Sequence, residues 1–165
     1  MSVPPESLSS SSSAGAFGLT SSAFANGTAI PPEFGCDGAD VSPPLAWSGV
    51  PPGSAALVLV FDDPDARDFV HWIVLDLPAT DEELPKNVSP SAGTPQQGTN
   101  DFGNVGYGGP CPPSGTHHYQ FTLTALSAPL GLGGHPSASA VRNALSAAAD
   151  QVLGTATLAG TFKRP

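Results

Sequence analysis

Three apolar runs of strand length, residues 55–61, 70–77 and 119–126, constrain this chain more than any other feature. They are built from Val, Ile, Leu, Phe and Tyr and are bounded by Pro, Gly or Asp, as expected of strands that bury at least one face. The connecting stretches are dense in Gly and Pro, with 19 of each in 165 residues. These residues punctuate strands and interrupt helices. A Gly- and Pro-rich chain with few charges can also be disordered, but three such runs supply the apolar content of one domain with its own core.

Weaker signals fill in the rest. Residues 1–16 are Ser-rich, with consecutive Ser from Ser9 to Ser13. They offer too little apolar surface to offset ordering entropy and read as a disordered tail ahead of a domain over 17–165. They lack the basic start and apolar stretch of a secretory leader, so the expected location is the cytoplasm. Nothing reaches the ~18 apolar residues of a membrane span, and no membrane insertion is expected. Leu45 and Trp47 mark a short strand. Thr80 and Glu83 have capping-box spacing, which predicts one helical turn before Pro85. Ser137 is placed to cap a helix whose apolar positions Val141, Leu145, Ala148 and Val152 follow helical spacing, with Gly154 ending it. A last strand is predicted over 155–162. The fold class is therefore mainly β: an antiparallel, Greek-key-like β-sandwich with a few short helices, including one near the C-terminus.

Charge excludes some partners. Fourteen acidic residues against five basic give a formal net charge of −9. Nucleic acid requires a basic surface, so it is not an expected partner, and an anionic membrane is disfavoured for the same reason. One anion can still be held in a pocket that locally opposes the net charge. The two cysteines, Cys36 and Cys111, make no metal motif. They allow a single intramolecular pairing, and a disulfide and two reduced thiols both stay open.

The chemistry-bearing residues sit where strands meet loops. Asp62-Asp63-Pro64-Asp65-Ala66 follows the first run, and His71 opens the second. Gly108-Gly109-Pro110-Cys111-Pro112-Pro113-Ser114-Gly115 leads into His117-His118-Tyr119. Side chains two apart on a strand share a face. Asp63 continues the parity of Leu57, Leu59 and Phe61, and His117 and Tyr119 share a face with Phe121 and Leu123. By the same rule His71 shares one with Ile73 and Leu75, and His118 faces outward. Polar groups at the ends of core-directed faces predict a small cavity at the rim of the sandwich. There a carboxylate would favour imidazolium, and two imidazoles and a phenol would donate to a phosphate or carboxylate. Gly108 and Gly109 would let the backbone approach the ligand closely.

These motifs, in this order and spacing, resemble the phosphatidylethanolamine-binding protein family, in particular its bacterial and archaeal Raf-kinase-inhibitor-like branch. The resemblance covers nearly the whole of 17–165. It implies that Asp63, Asp65, His71, His117 and Tyr119 converge on one anion pocket, with Gly108 and Gly109 in the adjoining loop. Where the family pattern has Pro, Arg and His, this chain has Arg67, His118 and Gln151. The expected function is non-catalytic binding of a small anion or phosphorylated headgroup, without cofactor or metal. Regulation of a kinase or protease and a homodimer are implied by the resemblance. Two alternatives stay open. One is a hydrolase of phosphate or carboxylic esters, working through Asp63, His71, His117 and Tyr119 or a metal on the first three. The other is a protease or kinase inhibitor that contacts its target through the long loop over 89–109.

Overall fold

The computed structural model describes residues 16–91 and 95–164, so the Ser-rich stretch up to residue 15 and three residues of the long loop lie outside the described residues. Among the described residues the strands are β1 (Gly18–Thr20), β2 (Thr28–Ala29), β3 (Leu45–Ser48), β4 (Ala56–Asp63), β5 (Phe69–Pro78), β6 (Glu83–Leu84), β7 (Gln96–Gln97), β8 (Thr116–Leu126) and β9 (Val152–Lys163), with one α-helix, α1 (Ala138–Ala147). Strands β1, β3 and β6 form a small sheet in the order β1-β3-β6, and the others form a six-stranded sheet in the order β2-β9-β8-β4-β5-β7. Pairing is antiparallel except between β2 and β9. The chain is thus a mainly β sandwich with a helix near its C-terminus, as its sequence pattern predicts.

The two sheets enclose the main core. Leu57, Leu59 and Phe61 of β4 meet Phe121 and Leu123 of β8 and Trp72 and Val74 of β5, and Leu19, Leu45, Trp47 and Leu84 of the small sheet close over them. The opposite face of the large sheet is covered by α1, where Val141 and Ala138 pack on Val58, Ile73 and Leu75. The Ser137 hydroxyl caps α1, accepting the Ala140 N–H at 3.2 Å.

Two sequence expectations are corrected by long-range pairing. No helical turn follows Thr80: Glu83 and Leu84 pair with Ala46 and Leu45 as strand β6. Trp47 is the cause. Its backbone N–H and indole N–H take the carbonyls of Glu82 and Asp81, at 2.9 and 2.7 Å, which a helix would need for itself. Similarly, α1 ends at Ala147, a 3-10 turn spans Ala149–Gln151, and Val152 already belongs to β9. Gly154 therefore does not end a helix. It lies opposite Ala125 in the β8–β9 ladder, where long antiparallel pairing outweighs the helical spacing of Val152.

Candidate functional site

The end of β4 carries the first site residue. Asp63 is 2 % exposed, and each of its oxygens has a fixed task. Oδ1 accepts the Asp65 N–H at 2.9 Å, capping the 3-10 turn Pro64–Ala66. Oδ2 accepts from His117 Nδ1 at 2.6 Å. Strand β8 brings His117 and Tyr119 to the same face, with Phe121 stacked on Phe61 beneath them at 3.9 Å between ring centres. The inward parity expected for Asp63, His117 and Tyr119 is what the strands build.

His71 reaches the same place by a different route. Phe61 pairs with Trp72, but the next residue, Asp62, pairs with Val70, leaving His71 as the extra residue of a β-bulge. A bulge re-aims the side chain it carries. Ile73 and Leu75 face α1, whereas the His71 ring lies 5.5 Å from the rings of both Phe61 and Tyr119. The expectation that His71 shares a face with Ile73 and Leu75 is therefore wrong, because the bulge breaks the alternation between His71 and Ile73. The long loop satisfies the bulged backbone: Asp101 exchanges bonds with Val70, accepting its N–H at 2.7 Å, and Gly108 N–H donates to the His71 carbonyl at 2.9 Å.

Asp63, His71, His117 and Tyr119 line one cavity of about 200 Å³, walled by Phe69, Phe102, Pro112 and Pro113. That is below the ~300–1,000 Å³ of drug-sized sites, so the occupant is small. His71 Nδ1 faces the Gly108 carbonyl at 2.7 Å. A carbonyl only accepts, so Nδ1 carries the hydrogen and Nε2 is left for the cavity. Burial holds the His71 pKa below its ordinary value, against smaller opposing effects of the Gly108 carbonyl and the Asp63 charge. Neutral His71 thus presents a lone pair at Nε2, and protonation turns it into a donor. Burial, reinforced by the Asp63 carboxylate, raises the Tyr119 pKa far above its ordinary value, so the phenol keeps its proton.

The remaining predicted residues do not line this cavity. Asp65 is exposed and accepts from the backbone N–H and Nδ1 of His118, both at 2.8 Å. That pairing lowers its pKa. Gly108 and Gly109 face a neighbouring cavity with Asp40 and Tyr107. Their lack of a side chain serves packing: a Cβ on Gly108 would strike the Phe102 ring, and one on Gly109 the Phe34 carbonyl and Asp40 carboxylate. Sequence reasoning passed over Phe102, which is 46 % exposed at the mouth, edge-on to His71 and Phe69. The available signal was the turn chemistry of Asn100. Its buried side chain accepts the N–H groups of Phe102 and Asn104 and donates to the Gly106 carbonyl, fixing the loop that presents Phe102. Cys36 and Cys111 form a disulfide, and Cys111 lines the cavity.

The fold and cavity define a two-sheet β protein with a small rim pocket of paired imidazoles, one carboxylate and one phenol. Comparison with known proteins specifies this further: residues 20–163 match the family model for phosphatidylethanolamine-binding protein, and the chain belongs to that family. It is 42 % identical over 151 residues to a UPF0098 protein of Methanothermobacter thermautotrophicus, covering 88 % of this chain and 98 % of the relative. With a UPF0098 protein of Aquifex aeolicus it shares 43 % identity over 150 residues, 87 % of this chain and 86 % of the other. The crystal structure of the Chlamydia trachomatis homolog CT736 superimposes with a TM-score of 0.81 at 35 % identity, covering 92 % of this chain and 99 % of that one. Escherichia coli YbcL gives 0.79 at 34 % identity, over 90 % and 99 % of the two chains.

Proposed function

We propose that this protein is a non-catalytic binding protein whose rim cavity takes a small anion, such as phosphate or a phosphorylated headgroup. One observation carries the reading. His71 and His117 each spend Nδ1 on a fixed acceptor, the Gly108 carbonyl and the Asp63 carboxylate, so both Nε2 atoms are kept for an occupant. Tyr119 adds a hydroxyl that stays protonated. An anion accepts from all three only when both imidazoles carry a proton at Nε2, and His71 does not carry one readily. Binding is therefore coupled to proton uptake, or selects an anion that brings its own proton.

The hydrolase alternative finds less support. Among the described residues the cavity wall contains no Ser or Thr, Cys111 is held in the disulfide, and both Asp63 oxygens are engaged. Asp63 Oδ2 points at His117 Nδ1 rather than converging with the imidazoles on a shared point. Among the described residues no three His, Cys, Asp or Glu side chains form a metal-sized cluster.

Regulation of a kinase or protease, and a homodimer, extend the same reading and are tested by pull-down with purified partners and by light scattering. Among the described residues no helix is long and apolar enough to cross a membrane. The disulfide fits an oxidising compartment better than the cytoplasm expected from sequence. The direct test is calorimetric titration with phosphate and phosphorylethanolamine near pH 6 and pH 8. Affinity should rise as pH falls and vanish in His117→Ala. Absence of binding in the unmodified protein at both pH values refutes the reading.

A further inference from the structure

The chain has five Lys and Arg residues, and their placement is uneven. Lys86, Arg142 and Arg164 are bound to Glu33, Asp62 and Asp37, at 2.6, 2.8 and 2.9 Å. Among the described residues Arg67 and Lys163 have no carboxylate partner, and each is next, in sequence or in the ladder, to a residue of the anion cavity or its partner. Arg67 follows Ala66, which lines the cavity. Lys163 pairs with Thr116 in the β8–β9 ladder, next to the His117–Phe162 pair. Phe162 is buried in the core opposite His117, and Lys163, one residue on, is exposed on the other face of the strand.

Lys163 also helps line a second cavity, of about 330 Å³, with Arg164, Asp37, Ser114 and Gly115. The two cavities share Pro113 as a wall residue. Asp37 grips Arg164 through both oxygens and balances its charge, which leaves Lys163 to set a net positive charge. In a chain of net charge −9, a concave site of positive charge touching an anion pocket stands out. Clefts of one sign focus the field on ligands of the other.

We propose that the Lys163 cavity is a second anion subsite, and that the preferred ligand is a small molecule with two anionic groups, one for each cavity. This rests on the anion-binding reading above. The two cavities meet at Pro113, so the two groups sit on a short linker. A second phosphate and a carboxylate both satisfy the chemistry.

The experiment titrates methylphosphonate and propane-1,3-bisphosphonate into the unmodified protein, Lys163→Gln and His117→Ala at pH 6 by calorimetry. The bisphosphonate should bind more tightly than the monophosphonate by up to about fivefold, the upper end of what one exposed ion pair contributes. Lys163→Gln should erase that advantage and leave methylphosphonate unchanged, and His117→Ala should abolish both. Lys86→Gln, the same charge change away from both cavities, should alter neither. Equal affinity for the two ligands, or an equal loss for both in Lys163→Gln, overturns the second subsite while the anion pocket stands. Loss of the advantage in Lys86→Gln as well overturns it in favour of long-range charge alone. Failure of both ligands to bind the unmodified protein overturns the two proposals together.

Discussion

Opening the Cys36–Cys111 disulfide is the perturbation whose effect follows most directly from the chain's path. The bond joins residues 75 apart in sequence, so it removes a long loop's freedom from the unfolded ensemble. The loop-entropy relation gives about 4–5 kcal/mol of stabilisation at 25 °C for a loop of that length. At roughly 3 °C per kcal/mol for a domain of this size, the melting temperature should fall by about 10–15 °C. The bond also has a local role. Pro110, Pro112 and Pro113 have no N–H to tie the cavity wall down, and the Cys36 N–H holds the Pro110 carbonyl at 3.0 Å beside the bond. Reduction should therefore weaken phosphate binding as well as stability. The assay is urea unfolding of the oxidised protein, the reduced protein and a Cys36→Ser/Cys111→Ser double variant, with thiol counting on the oxidised sample. If all three unfold within about 1 kcal/mol of one another while the oxidised sample shows no free thiol, the entropic argument is refuted.

Three further outcomes are expected. His71, whose pKa burial lowers from 6.5, is protonated more readily in the unfolded chain than in the folded one. Stability should be level above pH 6.5 and fall as pH drops below it through the folded value, a slope that urea midpoints should show to be missing in His71→Phe. Gly109→Ala places a Cβ against the Phe34 carbonyl, a backbone atom that cannot swing aside, so it should destabilise by about 1–3 kcal/mol in urea unfolding. Phe61→Ala removes the ring that Phe121, Tyr107 and Tyr119 pack against. It should cost about 3–5 kcal/mol and loosen the cavity floor, read as lost near-UV dichroism.

What was legible from sequence was what local chemistry dictates. Alternation placed β4, β8 and the later part of β9, and set Asp63, His117 and Tyr119 on the inward face before any partner strand was known. Ser137 announced the start of α1 because a cap needs only the residues that follow it. The family motifs added the convergence of His71 with these groups.

Tertiary structure decided everything that depends on a partner far along the chain. His71 enters the cavity because the pairing of β5 with β4 leaves it unmatched, a property of two strands that neither displays alone. Residues 83–84 became a strand because Trp47, more than 30 positions away, claimed the carbonyls before them. Asp65 turned from the cavity to His118 across 53 residues, and Cys36 met Cys111 across 75. Local propensities amount to tenths of a kcal/mol per residue, whereas a ladder or a buried contact sums many such terms, so register and long-range contact prevail where the two disagree.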